Sequence, residues 1–398
     1  MTVRVNKDSF NIREKLSELE RPIGLKGSDL MSADTAQEAR DFVSAGRKNM
    51  IINGDMRVSQ RYGDGYSSNF STSGGNFIVD RFSGYNSSGT ARGVQSTLAP
   101  PGFGYSCKFD ITAANTPRTS TAYAGLYYQV EGYDALPLKW STPSEAKPCT
   151  VSFWVRASVP GIYALSVRDA AFARHYVASY NINRVDTWEY KTINVPPPPS
   201  GTFGITNNLG FSLFWGIDIE DSASGISANP GNWGSGNGYG VPGMAHLFST
   251  VSNSFFITGV QLEVGKNATD FEHRSIGEEL ALCQRYFQKI GKAGHGGLGK
   301  NDYLASGFVD SNGSAFYGGA NLKVTMRTSP SISINGTASH LGYTHPGVAF
   351  VATGLNNYWS NPQSYVINLG GTGSGTTGYG AYARITDDAT QLEFNAEL

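Results

Sequence analysis

Asp218, Glu220 and Asp221 fall within four residues at the end of an apolar run. Clustered carboxylates of this kind could hold calcium, which takes six to eight oxygen ligands, or supply the acid and base of glycoside hydrolysis. If the strand alternation runs to its end, Asp218 and Glu220 share one outward face. The run offers too few oxygens for calcium by itself, so a solvated strand end is expected and no metal is assigned.

No other constellation suggests catalysis. His175, His246, His273, His295, His340 and His345 form no HExxH and no ligand pair at helical spacing. The chain lacks a GxSxG elbow, a phosphate-binding GxxxxGK[ST] loop and a GxGxxG between strand and helix. Cys107, Cys149 and Cys283 are odd in number and widely spaced, which suggests neither a disulfide framework nor a zinc site; all three are expected to be reduced and buried. The chain is therefore read as non-enzymatic, with no catalytic residue, metal or cofactor.

Sugar binding has better material. Tyrosine and tryptophan faces stack on the C–H patches of a pyranose while amides bond its hydroxyls. Trp233 and Tyr239 lie in the glycine-rich run Gly231–Gly240, and Tyr343, Tyr358 and Trp359 lie near Asn356, Asn357, Asn361 and Gln363. These five are the candidate ligand-binding residues. Aromatic side chains serve equally in a core or a subunit contact, so each keeps that second reading.

The elements that must position them are mainly strands. Of 398 residues only 16% are charged, and 49 are glycine, which favours short strands and many turns. Val151, Phe153, Val155 and Ala157 alternate with Ser152, Trp154, Arg156 and Ser158, and Phe211 to Ile219 repeats the pattern. Tyr163, Leu165 and Val167 add a third inward row. Such strands, with no long helix between them, predict an antiparallel β-sandwich of jelly-roll type over residues 48–274. A connector helix is expected over residues 275–291, from the Ser275–Glu278 capping box to Phe287 and Ile290. A second β domain over residues 292–398 follows, with alternations at Leu322–Arg327, Ser331–Ile334 and Leu392–Leu398.

Residues 1–47 differ from the rest. Leu16, Leu19 and Ile23, then Phe42 and Val43, give two short helices apolar stripes that neither can bury alone, predicting a helical anchoring segment or a contact with other copies. Trp154, on the polar side of its strand, points the same way, since an isolated sandwich would leave it in water. The net charge of −1 gives no field for nucleic acid, and no run of about 18 apolar residues provides a membrane span. The polar opening is no secretory signal, so synthesis in a cytoplasm is expected.

The segments NMIINGDMR (Asn49–Arg57), VDRFSG (Val79–Gly84), YQVEGYD (Tyr128–Asp134), VSFWVRAS (Val151–Ser158), WEYKTI (Trp188–Ile193) and VQLEVGKNATDFEHRSIGEELALCQRYFQ, which ends at Gln288, occur in an order that resembles bacteriophage tail-fibre proteins. The resemblance covers most of residues 48–290. It implies a sandwich like that of carbohydrate-binding modules, a homotrimer, a virion location with residues 1–47 docked on other virion proteins and residues 292–398 as the distal tip, and attachment to a host surface glycan. A head-attached fibre or capsid decoration protein, a glycan-degrading tailspike-like enzyme and a purely structural tail component remain alternatives.

Overall fold

A computed structural model describes residues 48–67, 69, 76–87, 89–291, 303–310, 312–345, 348–371, 378–386 and 390–398. Residues 1–47, with Leu16, Leu19, Ile23, Phe42 and Val43, lie outside them. Asn49–Leu398 forms one compact unit.

The first part of that unit contains β1 (Asn76–Val79), β2 (Phe82–Asn86), β3 (Thr90–Ser96), β4 (Ser106–Ala113) and β5 (Tyr123–Glu131), then the single turn α1 (Gly132–Ala135). It continues with β6 (Cys149–Ala157), β7 (Gly161–Asp169), β8 (Arg174–Ile182), β9 (Glu189–Val195), β10 (Leu209–Ile219), β11 (Trp233–Ser235) and β12 (Ser254–Val264). These make a seven-stranded sheet, β1-β2-β5-β10-β7-β8-β11, and a five-stranded sheet, β3-β4-β12-β6-β9. All pairings are antiparallel.

Period two explains why the sheets stack. Val151, Phe153 and Val155 of β6 face Leu126 and Tyr128 of β5, Leu165 of β7 and Leu213 and Trp215 of β10 in one buried core. Trp215 is fully buried and meets Phe153 edge-on at 5.9 Å. Transfer of a large apolar side chain out of water contributes about 1.5–3 kcal/mol, so this shared core dominates the sandwich's stability.

The expected connector helix is shorter than its apolar pattern. Helix α2 covers Ile276–Gln284, with Ser275 Oγ accepting from the Glu278 amide at 3.2 Å as the capping box requires. Beyond it, Phe287–Ile290 forms β13, which pairs with β21 (Gln391–Asn395). Phe287 and Ile290 keep the i, i+3 spacing of a helix, and the ladder to β21 supplies the backbone partners that override it.

The remaining elements are β14 (Tyr303–Val309), β15 (Ala315–Asn321), β16 (Ser331–Asn335), β17 (Leu341–His345), β18 (Val348–Ser360), β19 (Ser364–Gly371) and β20 (Gly380–Ile385). Six of them close into a barrel, β14-β15-β19-β18-β17-β20, while β13-β21-β16 form a small separate sheet. Closure removes the unpaired edges that an open six-stranded sheet would present. No strand forms over Leu322–Arg327. There the amides of Leu322 and Met326 donate to the carbonyls of Gln363 and Pro362, and Lys323 donates to Gln288 Oε1 at 2.9 Å, so a turn and a side chain replace the ladder.

Three of the segments that carry the family resemblance, around Asn49–Arg57, Asp80 and Val260–Glu279, meet in one polar latch. Asn49 Oδ1 accepts from the amides of Ile51 and Leu262 at 2.9 and 3.0 Å, and its Nδ2 donates to Val260 O. Asn53 bonds Val58 and Asp80 through its side chain, and its amide donates to Glu279. Buried Arg274 reaches the carbonyls of Asn49 and Ile51 and pairs with Glu272 and Glu279. A Cβ on Gly54 would stand 2.1 Å from Val260 O, which explains a glycine there. These motifs therefore hold the start of the sandwich to β12 and α2.

Candidate functional site

Residues of the seven-stranded sheet that point away from the core form the floor of a cleft of about 370 Å³, within the usual range for small-ligand sites. It runs across the sheet from Phe77 of β1, through Ser83 and Tyr85 of β2 and Tyr123, Tyr127 and Gln129 of β5, to Phe214 of β10 and Arg168 of β7. Phe172, Asn237, Tyr239 and Leu398 complete the lining. Strand register arranges the floor in rows. Ser83, Tyr127, Phe214 and Ser166 are successive cross-strand partners, and so are Gln129, Ser212, Arg168 and His175.

The aromatic rings hold one another in place. Tyr85 and Tyr123 stack with centroids 4.9 Å apart and their hydroxyls hydrogen-bonded; Tyr123 meets Tyr239 at 4.8 Å, and Phe214 lies edge-on to Tyr239 at 5.9 Å. Gly125 makes this possible, because a Cβ there would stand 2.4 Å from the Phe214 ring. Tyr85, Tyr123 and Tyr127 are only half-buried, which leaves ring surface turned to the cleft.

A loop bends over one end of the sheet to deliver Tyr239 and Asn237. Ser166 Oγ donates to Gly238 O at 2.6 Å, and His175 sits beneath the loop with its ring nitrogens 3.0 Å from Gly236 O and 3.3 Å from Ser227 Oγ. A Cβ on Gly225 would fall inside the Tyr239 ring, so glycine there admits the ring. At the other end the chain's last residues are fixed by Arg327, which donates to the carbonyls of Ala396 and Glu397, and by Arg81 and Arg61, which pair with the Glu397 carboxylate. Leu398 thereby reaches the lining.

Burial sets the electrostatics. It pushes the Tyr123 and Tyr239 hydroxyls above their ordinary pKa, so both stay neutral donors. Burial also pulls the Arg168 guanidinium below its ordinary value; its centre lies 5.1–5.4 Å from the rings of Tyr127, Phe172 and Phe214. Among the described residues no aspartate or glutamate side chain lines the cleft. Half-exposed rings flanked by amide and guanidinium donors can stack on the apolar face of a sugar and bond its hydroxyls.

No family model and no curated protein matches this chain. Solved structures of low identity do. The enzymatically active domain of a tailspike protein of bacteriophage CBA120 aligns with 55% of this chain at 12% identity and a TM-score of 0.29. That alignment spans 21% of the tailspike's own length. A family 11 carbohydrate-binding module of a Clostridium thermocellum cellulase aligns with 51% of this chain and 98% of its own, at 15% identity and a TM-score of 0.26. A carbohydrate-binding module solved with β-1,4-galactotriose aligns with 56% of this chain and all of its own, at 11% identity and 0.28. The sandwich assignment rests on the strand pairing above and not on these likenesses.

Of the five aromatic residues expected to bind ligand, Tyr239 alone lines the cleft. Trp233 turns to the opposite face of the sheet and packs on Trp140, Phe203 and Tyr176, its Nε1 donating to Pro196 O at 2.8 Å. Tyr343 is fully buried in the barrel, stacked between Phe316 and Phe350, so its ring faces are covered. Tyr358 and Trp359 stand exposed on β18, opposite Ile367 and Val366. Trp154 is half-buried within its own chain, against Tyr190 on the neighbouring strand at 5.3 Å, so the sandwich itself supplies cover that strand alternation alone did not suggest.

The carboxylate run is also resolved differently from a shared outward face. A register slip between Gly216 and Asp218 inserts one residue, and Ile219 turns to the outer face against Tyr239 and Met244. Asp218 is buried, accepting from the Phe248 amide at 2.6 Å and from His246, with Arg118 Nε 3.5 Å away. Glu220 leans on the same Arg118 at 3.8 Å, and Asp221 accepts from the Gly243 amide. Among the described residues no group of three potential ligands could hold a metal ion. The three cysteines are buried and unpaired.

Proposed function

We propose that this chain is a non-enzymatic bacteriophage fibre protein, a trimeric tail fibre that attaches to a host surface glycan through the cleft on its seven-stranded sheet. The observation that carries the reading is the cleft itself: Tyr85, Tyr123, Tyr127 and Tyr239 surround a space of about 370 Å³ with Gln129, Asn237 and Arg168 as polar partners. The virion assignment is supported by the ordered segments that resemble phage tail fibres, and residues 1–47 are the docking segment in this reading. A lining with no aspartate or glutamate side chain among the described residues favours binding over hydrolysis, since glycoside hydrolysis uses two carboxyl groups across the scissile bond.

A single sugar site binds weakly, and three linked copies raise avidity without a new contact. Trp359 and Val366 on the barrel exterior remain surfaces for a second sugar or a sister copy. The test has two arms on the full-length protein. Light scattering should return three chain masses, and an array of bacterial surface polysaccharides should show binding without chain shortening. A monomer with no binder would overturn the proposal, and falling polymer length would replace binding with depolymerisation.

A further inference from the structure

Three arginines are buried among the described residues, and their partners differ. Arg81 pairs with Glu397, and Arg274 pairs with Glu272 and Glu279. Among the described residues Arg168 has no carboxylate partner. Its Nη1 donates to Asn237 Oδ1 at 2.9 Å, the rings of Tyr127, Phe172 and Phe214 lie around it, and its Nε, like those of Arg81 and Arg274, is buried with no partner. In the same cross-strand row, between Gln129 and Arg168, Ser212 Oγ is buried and unpartnered as well.

A buried cation without a counter-charge is costly, and ring quadrupoles return only part of its lost hydration. The contrast with Arg81 shows what is missing. Burial opposes the charge there too, yet Glu397, with Tyr286 and Tyr128, overcomes it and raises that pKa, whereas tyrosines without a carboxylate leave Arg168 lowered. The planar guanidinium fork matches an oxyanion in two-point geometry, and among the described residues no aspartate or glutamate side chain lines the cleft to repel one.

We propose that the cleft selects an acidic saccharide, with Arg168 receiving the carboxylate of a uronic or nonulosonic acid residue while Tyr85, Tyr123 and Tyr127 take the sugar faces. This rests on the cleft being the glycan site and adds the class of glycan. The ligand supplies the counter-charge that the protein withholds, so a neutral sugar of the same shape leaves the guanidinium unpaired and binds less well.

The test changes the ligand first, so that it does not depend on a buried substitution folding. Full-length wild-type protein is measured against a panel of neutral and acidic bacterial surface polysaccharides, each acidic polymer before and after carbodiimide–borohydride reduction of its carboxyl groups. Binders confined to the acidic polymers, with affinity falling about ten- to hundredfold on reduction, support the proposal, that being the usual loss for a hydrogen bond to a charged group. Arg168→Gln should erase the difference between native and reduced polymer. Binding to neutral polymers, or affinity within twofold after reduction, overturns the acidic preference and leaves the cleft reading standing. No binder in the panel overturns both.

Discussion

Arg168 Nη1 and Asn237 Oδ1 are 2.9 Å apart, and this hydrogen bond ties the guanidinium on the cleft floor to the loop that covers its end. Asn237 is exposed, so its loss should cost little stability. Asn237→Ala is expected to weaken glycan binding about tenfold, through a less fixed guanidinium, with the melting temperature unchanged within a few degrees. Calorimetric titration and a thermal melt on the same preparation separate the two effects.

The tyrosine rings should carry most of the affinity. Tyr127→Ala removes a half-buried ring beside Phe214 and Arg168, and Tyr85→Ala removes the stacking partner of Tyr123. Each is expected to weaken binding about tenfold, because an aromatic contact adds about 0.5–1.5 kcal/mol beyond the area it covers. Trp359→Ala, on the barrel, should leave binding by the cleft unchanged. Affinities of the three variants, compared at one salt concentration, check the assignment.

The latch between the first described residues and α2 should be a stability element with no direct effect on ligand. Arg274→Met strands Glu279, whose carboxyl burial already pushes above its ordinary pKa, and Glu272 beside it. The expected loss is about 3–5 kcal/mol, typical for breaking one side of a buried pair. Denaturant unfolding measures it. Gly54→Ala should also destabilise, since Val260 O is backbone and must move.

Asp80 gives the fold a pH dependence of unusual sign. Burial raises its carboxyl from 3.8 to about 6, opposed by Arg61 and by its bond with Gln60 and reinforced by Glu397. With the folded value above the unfolded one, the native state holds the extra proton between these limits, and stability falls as pH rises through that window. Two units correspond to roughly 3 kcal/mol. The difference in stability between Asp80→Asn and wild type should therefore shift in favour of the variant from pH 4 to pH 7. A difference constant with pH would contradict the buried neutral carboxyl.

Much of the sandwich was legible because Val151–Ala157, Tyr163–Val167 and Phe211–Trp215 alternate cleanly and each row meets another row. The capping box at Ser275 located the start of α2, but its end was hidden: Phe287 and Ile290 continue the helical spacing, and β21, their strand partner, lies about a hundred residues on. Likewise the slip at Ile217 that buries Asp218 depends on pairing with β5, which no local pattern encodes. The cleft was half visible. Tyr239 stood out in its glycine-rich loop, whereas Tyr127 and Phe214 are ordinary strand residues until register places them side by side. Phe214 did carry a signal, an aromatic ring between Ser212 and Gly216 in a row expected to face water.

The most direct test of a sugar site on the seven-stranded sheet is a polysaccharide-array measurement of wild type against Tyr85→Ala/Tyr127→Ala, with matched melting curves. Binding by the wild type, and at least a tenfold loss in the double variant at similar melting temperature, is the predicted result. Equal affinity in the two folded proteins would contradict it.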